Sequence, residues 1–177
     1  MSSGRRIEEE PIERKIARIL KYKNLSVTVA ESCTGGLVAG TLVNADGISD
    51  VFKEGFVTYS NEAKVSLLGV SEDTLNTYGA VSRQTAKEMA EGAAKKACAQ
   101  AAVSTTGIAG PDGGTKEKPV GLVFVGCTLK GHTVVKRCFF GGDRQTIRSR
   151  AVREALTLLY CQLLADDSEK PVTEDEE

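Results

Sequence analysis

Apolar and polar positions along the chain alternate between two periods. Ile12, Ile16, Ile19 and Leu20 recur at helical spacing, which predicts a helix over 8–23 with Pro11 in its first turn. Ser26-Val27-Thr28-Val29-Ala30 predicts a strand and 36–43 a short helix. Gly55 to Tyr59 predicts a second strand, after which Asn61 can cap a helix running to Leu68. A turn-plus-helix element covers 71–78. The alanine-rich stretch 82–98 predicts a longer helix capped by Ser82. Ala101 to Thr105 is a third strand. Strands over 120–129 and 133–140 are joined by Lys130-Gly131-His132 as a hairpin. Asp143 can cap a final helix to Leu164, with Ile147, Ala151, Leu156, Leu159 and Leu163 on its apolar side.

Helices alternating with strands, plus one hairpin, predict an α/β protein with three layers and a mixed, mainly five-stranded sheet. Residues 8–165 are expected to form a single domain. Residues 1–7 are expected to be flexible, and 166–177, acidic and poor in apolar residues, to be a mobile tail. No internal repeat is visible.

Composition narrows the function. The chain has 177 residues, with 23 basic and 24 acidic side chains, so no basic excess points to nucleic acid. No apolar run is long enough to span a bilayer. The start of the chain carries Arg5, Arg6, Glu8, Glu9 and Glu10 and lacks the apolar core of a signal peptide, so a cytoplasmic location is expected. The five cysteines, Cys33, Cys98, Cys127, Cys138 and Cys161, include no C-x-x-C spacing. They are expected to be buried, inert thiols rather than a disulfide framework or zinc site. No carboxylate–histidine cluster suggests a metal.

Two glycine-rich segments follow strands. The first is Ala30-Glu31-Ser32-Cys33-Thr34-Gly35-Gly36. The second is Thr105-Thr106-Gly107-Ile108-Ala109-Gly110-Pro111-Asp112-Gly113-Gly114, followed by Lys118-Pro119-Val120-Gly121. A hydroxyl beside glycine amides at a helix N-terminus suits an anion or an oxyanion. Ser32 resembles a nucleophile elbow in logic but is not G-x-S-x-G. Ser32 or Thr34 could equally be a simple helix cap. The second segment lacks the G-K-[ST] of a P-loop, although its glycines allow close approach of a ligand and Thr105 and Thr106 add hydroxyls.

A serine nucleophile needs a base. The one histidine, His132, falls in the predicted hairpin turn, which disfavours a Ser-His-Asp triad. A lysine of lowered pKa can replace histidine. Lys64 is the best placed, three residues beyond Asn61, with Tyr59 near enough to share a proton path; a solvated helix lysine is the alternative. On an extended strand end neighbouring side chains point to opposite faces. Ser32 is therefore assigned to the pocket and Cys33 to packing under the helix.

These motifs in this order, Glu31 to Gly36, Tyr59-Ser60-Asn61-x-x-Lys64, Thr106 to Gly114 and Lys118 to Gly121, resemble the CinA C-terminal domain family over residues 8–165. The resemblance implies an α/β/α sandwich and a nicotinamide-nucleotide amidohydrolase. Such an enzyme converts nicotinamide mononucleotide and water to nicotinate mononucleotide and ammonia in pyridine nucleotide salvage. It implies Ser32 as nucleophile, Lys64 as base and Tyr59 as assistant, with an acyl-enzyme opened by water. It implies that Thr34, Gly35, Gly36, Thr105, Thr106, Gly107, Ala109, Gly110, Gly113 and Gly114 line the nucleotide pocket, undivided between carboxamide, ribose and phosphate. No cofactor and no metal are expected. The implied partners are the small nucleotide and further copies of the chain, not nucleic acid or membrane. Longer members carry an N-terminal domain linked to nucleotide pyrophosphatase activity, which is not expected of this chain. The alternative is a non-catalytic nucleotide-binding or partner module of the competence and damage-inducible type.

Overall fold

Alternate positions along the central strands face opposite sides of one sheet: Val27, Val29, Ala101 and Val103 on one side, Ala30 and Ala102 on the other. A computed structural model describes residues 10–166. The expected flexible N-terminus and residues 167–177 of the expected tail lie outside that range, as do Glu8 and Glu9 of the first predicted helix.

The elements run α1 (Ile12–Tyr22), β1 (Val27–Glu31), α2 (Leu37–Leu42), a 3-10 turn (Ile48–Asp50), β2 (Phe52–Val57), α3 (Asn61–Leu68), α4 (Glu72–Tyr78), α5 (Arg83–Lys96), β3 (Ala101–Gly107), β4 (Leu122–Leu129), β5 (His132–Phe139) and α6 (Arg144–Ala165). The five strands form one mixed sheet in the order β2-β1-β3-β4-β5. β1 is parallel to both β2 and β3, whereas β3, β4 and β5 pair antiparallel. A parallel pair needs a crossover, and α2 supplies one between β1 and β2.

Strand side chains alternate between faces. Val27, Val29 and Val103 pack with Ile16, Leu20, Val38, Leu42, Ile147 and Leu156 of α1, α2 and α6. Ala30 and Ala102 pack the other way, with Leu68, Met89 and Ala93 of α3 and α5. The result is the α/β/α sandwich that the pattern predicted. The small residues of α5 serve packing as much as helix propensity. A Cβ on Gly126 would lie 2.6 Å from the Ala86 carbonyl oxygen, so the helix rests almost directly on the sheet.

Several local expectations shift. Pro11 is the N-cap of α1, not part of its first turn, because its ψ of 144° is extended. α2 starts at Leu37, with Gly36 as a left-handed cap at φ +95°. β2 spans 52–57 rather than 55–59 and leaves Thr58 and Tyr59 in the following loop. Ser60, not Asn61, caps α3: its hydroxyl accepts from the Ala63 amide at 3.1 Å. Ser82 and Asp143 cap their helices as expected. The hairpin turn is Lys130-Gly131, both at positive φ, the pattern of a two-residue turn, so His132 begins β5. Cys33, Cys127 and Cys138 are buried, but Cys98 and Cys161 are exposed, since Cys161 lies off the packed stripe of α6. No helix among the described residues is long and apolar enough to cross a membrane.

The contact of α3 with α5 fixes the helix that carries Lys64. A Cβ on Gly92 would fall 1.9 Å from the Leu68 carbonyl oxygen. Gly92→Ala should therefore force α3 and α5 apart and destabilise the fold by about 1–3 kcal/mol, the usual cost of overpacking. A urea midpoint equal to that of the unaltered protein would contradict this packing.

Candidate active site at the strand ends

β1, β2 and β3 run parallel, so their carboxyl ends open on one crevice, the usual ligand position in such sheets. The chain continues the ladder slightly past each strand. The Ser32 amide donates to the Thr105 carbonyl at 2.9 Å, and the Thr58 amide to the Glu31 carbonyl at 2.8 Å. Ser32, the Thr58–Tyr59 pair and Thr106 are thereby brought side by side. A cavity of about 290 Å³ opens above them.

Lys64 enters this cavity from α3. Its side chain is 1% exposed. Nζ lies 2.9 Å from the Thr58 carbonyl oxygen, 3.4 Å from that of Ser60 and 3.3 Å from Ser32 Oγ. Removal from water disfavours the ammonium and holds the pKa below the ordinary lysine value, against the smaller opposing influence of the nearby Cys33 and Glu62. No carboxylate forms an ion pair with Lys64 among the described residues. A neutral amine has two hydrogens and one lone pair. Two carbonyls can take the hydrogens, which leaves the lone pair for the Ser32 hydroxyl.

Cys33 lines the cavity as well as packing in the core with Val38 and Leu42, so the expected division of Ser32 to the pocket and Cys33 to packing holds only in part. Cys33 is buried, and burial above all pushes its thiol up to about 11, so no thiolate competes with Ser32 near neutrality. His132 is excluded by register. It pairs with Leu129, which pairs with Ala101 at the start of β3, the opposite end of the sheet.

The N-terminus of α2 is not open to a ligand, contrary to the sequence expectation. The Glu31 carboxylate, 1% exposed, accepts from the amides of Gly36 at 2.9 Å, Val38 at 3.0 Å and Ala39 at 2.8 Å. The Gly35 amide donates to the Ser32 carbonyl at 3.1 Å. A carboxylate built into the protein thus meets the orphan donors and the positive end of the helix. Thr34 and Thr105 are also engaged internally, their hydroxyls 2.7 Å apart and buried.

Of the residues assigned from sequence, Ser32, Tyr59, Lys64, Thr106, Gly107, Ala109, Gly110 and Gly113 line the cavity. Thr34, Gly35, Gly36, Thr105 and Gly114 are not among the lining residues. Ala109 and Gly110 are buried, yet their amides have no acceptor among the described residues. Gly110 is at φ +76°, and a Cβ there would meet Val120 at 2.6 Å. No group of three or more His, Cys, Asp or Glu side chains among the described residues is placed to hold a metal ion.

The profile of the CinA C-terminal domain family matches residues 9–163. The chain belongs to that family. A candidate competence-damage inducible protein of Clostridioides difficile is 56% identical over 155 residues, covering 88% of this chain and 37% of that protein. A CinA-like protein of Kosmotoga olearia is 52% identical over 158 residues, covering 89% and 38%. The chain therefore spans well under half the length of these curated relatives. Among solved structures, the competence/damage inducible protein CihA of Agrobacterium tumefaciens superposes with a TM-score of 0.80 at 46% identity, covering 88% of this chain and 97% of that one. A CinA superfamily protein of Escherichia coli gives 0.83 at 35% identity, covering 93% and 94%.

The sequence reading of this CinA-family chain missed two arginines from the start of α6. Arg148 donates from Nε to the Cys33 carbonyl at 3.1 Å and from a terminal nitrogen to that of Thr34 at 2.8 Å, clamping the turn that carries Ser32. Arg144 lines the cavity itself and bridges the Tyr59 hydroxyl and the Gly110 carbonyl. Two cations in the first turns of a helix oppose its dipole, the signal that could have flagged them.

The depressed lysine has a thermodynamic signature. An unfolded chain holds lysine near about 10.4, so between the folded and unfolded values the unfolded state binds more protons. The penalty for burying Lys64 is full at low pH and fades as pH rises through the folded value. Lys64→Met carries no such penalty. As pH is raised from 7 towards 10, the unfolding free energy of the unaltered protein should gain on that of Lys64→Met in paired denaturant titrations. A difference that stays constant with pH would contradict a depressed Lys64.

Proposed function

We propose that this chain is a nicotinamide-nucleotide amidohydrolase that uses Ser32 as nucleophile and Lys64 as base. The observation that carries the proposal is the buried Lys64 amine, held 3.3 Å from Ser32 Oγ with its pKa pushed down by burial. That is the arrangement by which a lysine activates a serine hydroxyl. Membership of the CinA C-terminal domain family supports it.

In this reading Ser32 Oγ attacks the carboxamide carbon of nicotinamide mononucleotide while its proton passes to Lys64. The Cys33 amide, next after the nucleophile and without a main-chain acceptor, is the nearest donor for the oxyanion. Collapse of the tetrahedral intermediate breaks the C–N bond. The leaving nitrogen takes the proton back from Lys64 and departs as ammonia. Lys64, neutral again, draws a proton from water, which opens the ester and returns Ser32 with nicotinate mononucleotide. Tyr59 accepts a hydrogen bond from Arg144 at 2.9 Å, so its own proton is free to point at the substrate or at the leaving nitrogen.

The direct test is ammonia release from nicotinamide mononucleotide. Activity should survive treatment with a chelator. Ser32→Ala should lower kcat by at least about a thousandfold while the fold persists, since a nucleophile acts with its partners as a unit. Cys33→Ala should keep most activity. Lys64→Arg, which cannot supply a neutral amine, should be nearly inactive. An acyl adduct on Cys33, or near-native turnover by Lys64→Arg, would overturn the assignment. No ammonia under any condition would favour a nucleotide-binding module without catalysis.

A further inference from the structure

We infer that Thr58 is a positioning residue for Lys64: its buried hydroxyl accepts a hydrogen bond from the lysine once the amine has taken a proton. The source of that proton, Ser32, rests on the amidohydrolase reading; the contact itself does not.

Thr58 is fully buried between the exposed Val57 and Tyr59. Among the described residues its Oγ1 is the one buried side-chain polar atom without a hydrogen-bond partner. Burying an unpaired hydroxyl is unfavourable, and a valine would fill the same space without that cost. An orphan of this kind calls for a reason. Strand alternation says where it lies. Phe56 and Ala30 pack on the α3 and α5 side of the sheet. Thr58 and Ser32 each follow two residues later, and the Thr58 amide continues the ladder onto the Glu31 carbonyl. Both side chains therefore fall on the α3 side, the side from which Lys64 arrives. Thr58 does not line the cavity, so it acts through Lys64 rather than on a substrate.

An ammonium has three N–H donors and no lone pair. Lys64 Nζ has the Thr58 carbonyl at 2.9 Å, the Ser60 carbonyl at 3.4 Å and Ser32 Oγ at 3.3 Å. The Ser60 contact is longer than a good N–H to oxygen bond. In the amidohydrolase reading the N–H facing Ser32 is the one handed to the leaving nitrogen. Two N–H groups then face the wall, where one carbonyl is a good acceptor. The Thr58 hydroxyl, on the residue that already holds Nζ, supplies the second. An acceptor for the ammonium favours the charged form, so it partly offsets the effect of burial. The other titratable groups around Lys64 are Glu31 and Cys33 at the end of β1, Glu62 on α3, Tyr59 before it, and Asp112 and Arg144 across the cavity. On the outer side of α3 stand Glu72 of α4 and Glu88, Glu91, Lys95 and Lys96 of α5. Thr58→Val changes the charge of none of them.

The test follows Lys64 by NMR, with nitrogen-15 in the lysine side chains, in the unaltered protein, Thr58→Val and Thr58→Ser. Thr58→Val should lower the Lys64 pKa by about one unit or more, the worth of a hydrogen bond to a charged group. Thr58→Ser should restore it. Thr58→Ala also removes the hydroxyl and should give the same shift, so the test does not depend on the valine variant folding. With nicotinamide mononucleotide, Thr58→Val should lower kcat about 10-fold at little change in KM, and the acid limb of kcat/KM should move to lower pH. Its urea midpoint should be no lower than that of the unaltered protein, since an unpaired buried hydroxyl is gone. A Lys64 pKa that is the same with and without the hydroxyl overturns the inference, as does a shift that Thr58→Ser fails to restore. If the shift appears but no amide is hydrolysed under any condition, the amidohydrolase reading fails and the Thr58 contact stands.

Discussion

The burial of one lysine amine organises the site. Taking an ammonium out of water is unfavourable, and no carboxylate among the described residues forms an ion pair with Lys64, so the rest of the fold must hold it in place. The holding elements are visible. Ser60 caps α3 at one end and Gly69, at φ +70°, closes it at the other. Leu68 and Val70 anchor that end in the small core against α5, where Gly92 leaves room for the Leu68 carbonyl. With α3 fixed at both ends, Lys64 can only point back at the strand ends. There the Thr58 and Ser60 carbonyls and the Ser32 hydroxyl receive it. Burial lowers the Lys64 pKa at a local cost in stability, the kind of trade seen at functional sites.

Ser32 is fixed by different means. Glu31, directly before it, anchors α2 through three amides, and Arg148 grips the carbonyls of the two residues after it. Ser32 thus sits on a turn held from both faces, with its own side chain half-buried towards the cavity. Such support keeps a reacting group in place more firmly than a free loop could. Arg148 and Arg144 are one helical turn apart on α6, so a single helix steadies both glycine-rich segments.

Much of this was legible in the chain, and the failures have physical causes. From the residues alone Ser32 and Lys64 are only candidates, and their roles come from the family resemblance; the fold adds that Lys64 Nζ lies 3.3 Å from Ser32 Oγ. The role of Glu31 is not visible in the sequence because helix caps are sought just inside or just before the helix, whereas this carboxylate reaches α2 from the last residue of the preceding strand. β2 was placed too late because it is an edge strand with exposed Lys53 and Glu54, and only Phe52 and Phe56 half-buried. Ser60 and Asn61 are adjacent and both able to cap, so sequence alone could not choose between them. Arg144 is 85 residues from Tyr59 along the chain, and their meeting exists only in the folded sheet.

The central claim is that burial holds the Lys64 amine below the pKa of an ordinary lysine. Nitrogen-15 labelling of the lysine side chains, with the Lys64 resonance assigned by its loss in Lys64→Met, allows its titration to be followed directly by NMR. The account predicts that Lys64 titrates well below the remaining lysines, which should lie near about 10.4. A Lys64 resonance that titrates together with them would contradict the account.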